Sequence, residues 1–475
     1  MENTWRPGLT TQREEVRNVE LAVEGTLPEW LDGTFISNGP GQFEVGDTPL
    51  EHWFDALAML RGIRIQDGQV RYTNRFLRSD DFRAARDQQT VRRNQPGTTA
   101  DGSTFSRLRD ALAGNFPDNA AIGLTRLGNT IYAVTESPTG FVIDPETLET
   151  LGKRDLAAGL DGDITLGHTH IVDGVQWGLA ASYGNECSYT LFRREGAGSP
   201  HPVTRLVFDH HPPYIHSFAL TEQYAVIPES HVGINFRRLL LTTPFGGTFL
   251  DATRPRDGPA RFHVLDRSTG ERVAAVEADP FFVYHFANAY EDGDTVVVDC
   301  VAFSGADAIT GLTIENLRSD EPNVPRGDFV RYRLPLRDGT AKRELLLDGP
   351  VEFPTINYQR SNGRQYRYAY LAATEYGALP TAVAKVDLDG RTTEQWSEPG
   401  LHPGEAIFVP APSPTAEDDG VLLSLAVDGT ADRSVFLCLD AGTLTERARA
   451  PLPHRVPYGF HGQFYDSTDP TRSMA

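Results

Sequence analysis

One short pattern returns along the whole of this chain. An alternating apolar strand runs into a turn bearing Gly or Asp and leaves it as a second strand. Residues 60–72 carry it, with Asp67-Gly68 at the turn. So do 140–150, 261–272, 330–340, 384–391 and 435–444, and more weakly 189–197. The intervals between copies are irregular, roughly 50 to 80 residues, a little long for the about 40–50 of a four-stranded propeller blade, which leaves room for long loops. Seven such blades closed into a ring expose only short sheet edges. The chain is therefore predicted to be all-β: a seven-bladed β-propeller, one domain over residues 1–475, with loops and short helices forming a cap on one face. A pair of β-sandwiches is the alternative, and the end-to-end return of one hairpin argues against it. The clearest helical stretch, 104–113, reads as a loop helix on one face.

Charge narrows the partners. Against 44 Lys plus Arg stand 65 Asp plus Glu, a net charge of −21. Such a surface repels phosphate backbones, which argues against nucleic acid. Lysine is confined to Lys153, Lys342 and Lys385. Acidic and lysine-poor together suggest a halophilic protein kept soluble in concentrated salt, where self-repulsion is screened. A GC-rich genome that writes Arg for Lys is the alternative, but the excess of acid is larger than codon bias needs. The cysteines, Cys187, Cys300 and Cys438, are far apart and odd in number, so no disulfide framework is expected and a reducing cytoplasm fits. The first residues hold no basic and apolar regions of a signal peptide. No apolar run approaches the about 18 residues of a membrane span.

The histidines are the chemistry-bearing residues. Thirteen are present, and four read as lying on similar apolar, aromatic-rich strands: His168, His216, His285 and His461. Their separation excludes a local zinc motif. In a propeller, however, the inner strand of every blade lines the axis, so one His from each of four blades can converge. Four neutral imidazoles suit iron, copper or zinc. Taken singly, each is as readily a satisfied core histidine. His170 shares the face of His168 and competes with it. His201, His210, His211 and His402 lie beside Pro or in polar loops and are set aside. A ligating imidazole needs a partner on its second nitrogen. Glu136, Glu352 and Glu405 are lone acids on otherwise apolar strands, costly there unless paired; a strand end in water is the alternative setting for each.

With these residues in view, the chain resembles the carotenoid cleavage oxygenase family, non-haem iron seven-bladed propellers. The resemblance runs from Gly25-Thr-Leu-Pro-Glu-Trp-Leu-Asp-Gly-Thr-Phe-Ile-Ser-Asn-Gly-Pro-Gly41, through His52-Trp-Phe-Asp55, Tyr72-Thr-Asn-Arg75, Ile143-Asp-Pro-Glu-Thr-Leu148 and Asn288-Ala-Tyr290, to Phe460-His-Gly462. It implies Fe(II) on His168, His216, His285 and His461. It implies Glu136, Glu352 and Glu405 as partners of the later three histidines, the first having no carboxylate. It also places Ile122 at an aliphatic or Thr position near the open iron site. Three departures bear on the subfamily and not on the ligands. Asp55-Ala-Leu-Ala-Met59 replaces Asp-Gly-Asp-Gly-Met, Arg61 stands where His is common, and Gly167-His168-Thr169 replaces Ala-His-Pro.

The resemblance implies an Fe(II)-dependent dioxygenase that adds O2 across one conjugated C=C bond of a carotenoid or apocarotenoid, giving carbonyl products such as retinal or apocarotenals. No catalytic residue is assigned beyond the metal centre. Stilbene-cleaving relatives carry Lys directly before the first partner Glu; here that position is Thr135, which favours carotenoids. A stilbene or phenylpropene dioxygenase, an oxygen-free retinoid isomerase and a non-catalytic carotenoid-binding propeller are the rivals. Residues 234–250 combine paired Arg with apolar side chains and read as a peripheral membrane contact that collects substrate; a loop buried on the propeller is the alternative.

Overall fold

A computed structural model describes residues 3–113, 116–184, 186–337, 339–375, 377, 379–467 and 473–474. Seven antiparallel sheets of at least four strands succeed one another along the chain and close into a ring. The first blade is completed from both ends of the chain. Strand Gly462–Asp466 pairs with Gly33–Gln42, in register from Gly33↔Asp466 to Ser37↔Gly462. The last blade is completed the same way, as Glu24–Gly25 adds to Glu446–Pro451. These two closures tie the termini into neighbouring blades, so the ring cannot open without breaking both.

Every one of the seven hairpins read from the sequence joins the third and fourth strands of a blade. Leu57–Gln66 with Gln69–Phe76 is the first, and Arg433–Asp440 with Glu446–Pro451 the last. Outer strands face water, so their patterning and turns are explicit. Arg272–Ala278 buries only Val276, and Thr392–Ser397 buries nothing fully. At the first turn Asp67 and Gly68 both take positive φ, 50° and 74°, as a type I′ turn requires. The central strands, by contrast, are buried on both faces: Gly33–Gln42 is buried at all but its last residue. Adjacent blades are joined by apolar packing. Phe262 of the fourth stacks on Phe281 at the start of the fifth at 4.6 Å, and Phe35 of the first meets Phe436 of the seventh at 6.0 Å. Each such fully buried ring contributes about 1.5–3 kcal/mol.

Strand parity places the cap. In an antiparallel four-stranded blade, the links between strands two and three and the links to the next blade leave from the same face. The long insertions all fall there: 77–122, 235–259 and 304–327. They carry the helices Asp80–Gln88, Thr104–Leu112 and Phe236–Thr242, together with the short turns Asp307–Thr310 and Ile314–Leu317. The loop helix expected over 104–113 is among them. These insertions also explain the long, uneven intervals between hairpins. Arg61 is fully buried, and its Nη2 donates to the carbonyls of Pro40 and Pro457. It stitches the first blade to the segment that leads into His461.

Candidate metal centre

Four imidazoles from four different blades meet beneath the cap. One ring nitrogen each of His168, His216, His285 and His461 lies within 4.8 Å of the other three. His168 Nε2 is 3.0 Å from His216 Nε2, and His285 Nε2 is 3.0 Å from His461 Nε2. The sequence placed all four on strands, and the structure corrects this. Only His285 lies within one, in Phe282–Asp292, where the pairing register shifts between Val283 and Phe286. His168 sits in the gap between Ile164–Thr165 and His170–Val172, His216 precedes Ala219–Leu220, and His461 precedes Gly462–Asp466. A regular strand would aim side chains at the two sheet faces, into the blade-to-blade packing. A broken or bulged inner strand turns them along its edge, toward the axis.

The three glutamates reach the outer nitrogens. Glu136 Oε1 lies 2.6 Å from His216 Nδ1, Glu352 Oε2 lies 2.6 Å from His285 Nδ1, and Glu405 Oε1 lies 2.9 Å from His461 Nδ1. No carboxylate bonds His168 among the described residues. The acids are not in open water: their side chains are 18%, 20% and 11% exposed. Two of the three also depart from the expected strand setting, for Glu136 follows Thr130–Val134 and Glu405 lies between Leu401–Pro403 and Ile407–Pro410. A carboxylate at Nδ1 keeps the proton on that nitrogen and leaves the Nε2 lone pair facing the centre.

Electrostatics agree with that tautomer. Burial, then the neighbouring imidazoles, hold His168 and His285 well below the usual histidine range, so both rings are neutral at pH 7. Burial pushes the Glu352 carboxyl up to about 7, against the backbone N–H of Phe353 and the His461 and His216 imidazoles. A cation among the imidazoles would draw it down again. Uncharged nitrogens 3.0 Å apart, with lone pairs converging, repel unless a proton or a cation sits between them. The donor set fits a nitrogen-loving divalent metal. His170 is no competitor: its nitrogens lie 2.8 Å from Tyr358 Oη and 2.8 Å from the Phe218 carbonyl.

Two participants were not singled out in the sequence. The Tyr214 hydroxyl donates to Glu136 Oε1 at 2.8 Å and lies 3.2 Å from His216 Nδ1. Its position two residues before His216 was the available signal. Phe353 takes a left-handed φ of 51°, a strained state for a bulky residue, costing about 1–3 kcal/mol. That backbone lets its N–H donate to Glu352 while its ring stacks on His285 at 5.5 Å.

The centre opens onto a cavity of about 580 Å³ beneath the cap, lined mainly by aromatic and aliphatic side chains. Ile122 borders it, with its carbonyl accepting the His461 N–H at 3.3 Å. A Cβ on Gly167 would come within 3.1 Å of Ile122 Cγ2, so glycine before His168 makes room for that side chain. The sequence model of the family described as retinal pigment epithelial membrane protein matches residues 9–466. The chain belongs to this carotenoid oxygenase family. It is 33% identical over 486 residues to the carotenoid isomerooxygenase of Galleria mellonella, covering 95% of this chain and 94% of that protein. It is 29% identical to the β,β-carotene 15,15′-dioxygenase of Mus musculus, covering 96% of this chain and 91% of that one. A solved structure of cobalt-substituted Synechocystis apocarotenoid oxygenase superposes with a TM-score of 0.87 at 27% identity, over 98% of each chain. The motif-based resemblance and the seven-bladed fold are thus both borne out for this carotenoid oxygenase.

Proposed function

We propose that this carotenoid oxygenase holds Fe(II) on His168, His216, His285 and His461 and cleaves one conjugated C=C bond of a carotenoid or apocarotenoid with O2, giving two carbonyl products. The observation that carries the reading is the convergence of four imidazole nitrogens within 4.8 Å at the wall of a mainly apolar cavity. The cobalt-substituted Synechocystis relative supports a divalent first-row metal in such a site.

Fe(II) supplies the redox chemistry that activates dioxygen toward carbon. The chain's residues do the rest. Glu136, Glu352 and Glu405 hold the Nδ1 protons and fix the ring orientations. Aromatic walls exclude water and align the polyene. Ile122 narrows the approach to the metal. Both oxygen atoms end in the two new carbonyls, so no net proton is gained or lost and no acid or base is assigned. Thr135 borders the cavity where stilbene-cleaving relatives carry Lys, and none of the three lysines lines it. This disfavours a phenolic substrate. The test is incubation of the iron-loaded protein with β-carotene and apocarotenals under ¹⁸O2, with the products reduced at once and weighed. Two fragments, each bearing one label, are expected. An isomerised, unlabelled product would replace the dioxygenase reading with the isomerase one.

The cap also carries a membrane contact in this reading. Leu240, Leu241 and Phe245 are 41%, 73% and 80% exposed, beside exposed Arg237 and Arg238. Helix Thr104–Leu112 adds Phe105 and Leu108, and its Arg107 Nε donates to the Pro244 carbonyl at 3.2 Å. Leu239 and Phe249 of the same segment line the cavity, so the patch stands at its mouth. No helix among the described residues is long and apolar enough to cross a membrane. Replacing Leu241 and Phe245 together by Asp is expected to weaken co-sedimentation with liposomes by about tenfold or more, with metal content unchanged. Undiminished co-sedimentation removes the contact. The acid excess and the three free, buried cysteines support a salt-tolerant cytoplasmic protein that meets the membrane peripherally.

A further inference from the structure

Ile122 borders the centre from a segment with no regular structure. Residues 116–122 precede the strand Gly123–Leu127 and belong to no sheet. Ala120 and Ala121 are nevertheless buried, so backbone groups there need partners that no ladder supplies. Side chains supply them. The Asp118 carboxylate accepts the N–H groups of Asp80 at 3.1 Å and Asp81 at 3.0 Å. Asn119 accepts the Ala58 N–H and donates to the Ala56 carbonyl, both at 2.8 Å. Asn38 Nδ2 donates to the carbonyls of Ala120 at 2.8 Å and Gly123 at 3.1 Å, one on each side of Ile122.

Asn38 lies in the longest of the motifs, residues 25–41, on the buried strand Gly33–Gln42. The same residue holds the segment of a metal ligand. Its N–H donates to the His461 carbonyl at 2.9 Å, and the Phe460 N–H donates to the Asn38 carbonyl at 2.8 Å. Its Oδ1 accepts the Gly39 N–H at 2.9 Å, so both amide hydrogens and the amide oxygen of this fully buried side chain are engaged. A Cβ on Gly39 would lie 2.7 Å from Phe460 N, so glycine there lets the two segments approach this closely. Ile122 and His461 also touch directly. The His461 N–H donates to the Ile122 carbonyl at 3.3 Å, and a Cβ on Gly123 would lie 3.5 Å from His461 Cβ.

We propose that Asn38 is a positioning residue: its amide fixes Ile122 against His461 and so sets how much room a small ligand has beside the metal. The inference rests on the reading of the four imidazoles as a metal centre and is independent of the polyene. A primary amide suits the task, because one planar group presents two donors to the two carbonyls and an acceptor to its own strand. Serine has a single donor, and an ionised aspartate would turn lone pairs toward both carbonyls. The clamp reaches Ile122 from both sides, so releasing it frees the side chain that borders the centre while the direct bond from His461 to Ile122 remains.

The test is a double-mutant cycle on the full chain loaded with Co(II), whose visible bands report the ligands on the metal, titrated with azide in the absence of substrate. Asn38→Ala is expected to bind azide about tenfold more tightly than the parent, because an unclamped Ile122 yields its space. Ile122→Ala is expected to gain at least as much. In the Ile122→Ala background, Asn38→Ala is expected to add less than about twofold, since the side chain through which Asn38 acts is gone. Asn38→Asp keeps the size, removes the donors, and is expected to match Asn38→Ala; it carries the cycle if the alanine variant does not fold. The full gain in both backgrounds, or no gain in either, overturns the proposal and leaves Asn38 a role in the fold alone. So does a folded variant that retains no cobalt, which would place the effect on His461, and so does failure of both Asn38 variants to fold. A parent that takes up no cobalt overturns the metal reading, and this inference with it.

Discussion

His285→Ala is expected to yield a folded protein with no bound iron and no turnover. His285 Nε2 lies 3.0 Å from His461 Nε2, and its Nδ1 holds Glu352 at 2.6 Å. Alanine removes one of four donors and leaves the Glu352 carboxylate bonded only to the Phe353 N–H. Losing a partner in this way costs about 1–3 kcal/mol, too little to unfold a ring closed at both ends. The checks are iron per chain by elemental analysis, oxygen consumption with an apocarotenal, and a melting curve. Normal iron content with full turnover would show that His285 is no ligand. Unfolding at room temperature would show that the centre is structural as well.

Glu352→Gln is expected to lower iron affinity or turnover by about 10–100-fold while the fold is retained. The amide is the same size and its oxygen can still accept from His285 Nδ1, so the ring stays in place. The negative charge that raises imidazole basicity is what disappears. Separate measurement of iron affinity and of kcat at saturating iron tells the two effects apart. Unchanged values in both would reduce Glu352 to a spacer. His168 has no carboxylate partner among the described residues, so no matching substitution exists for it. That asymmetry makes the three acids, and not the ring as a whole, the tuning handles of the centre.

Much of this molecule is legible in its sequence. The outer hairpins are local: the two halves of 60–72 lie side by side in the chain, and Asp67-Gly68 must turn between them. Their alternation survives because one side of an outer strand meets water. The ligands were legible for a different reason. Imidazoles in aromatic surroundings stand out, and the flanking motifs of a family carry their order. The gaps that aim His168, His216 and His461 at the axis were not legible. Neither residue type nor period distinguishes a short strand from a broken one when its inner edge has no partner strand. Phe353 was not legible because an apolar ring in an apolar run reads as core; only its positive φ separates it.

The sequence by itself determined the number of blades and the absence of a cation at Thr135, both written in residue types and in pairings close along the chain; it marked the four imidazoles and three acids as candidates, and the family resemblance gave them their roles. Tertiary structure alone decided that the blades close through Gly462–Asp466 on Gly33–Gln42, and that the insertions share one face. It alone decided that nitrogens separated by up to 293 positions, from His168 to His461, come within 4.8 Å. Those outcomes depend on how seven sheets pack around an axis, and packing is a property of surfaces that meet only after the strands have formed.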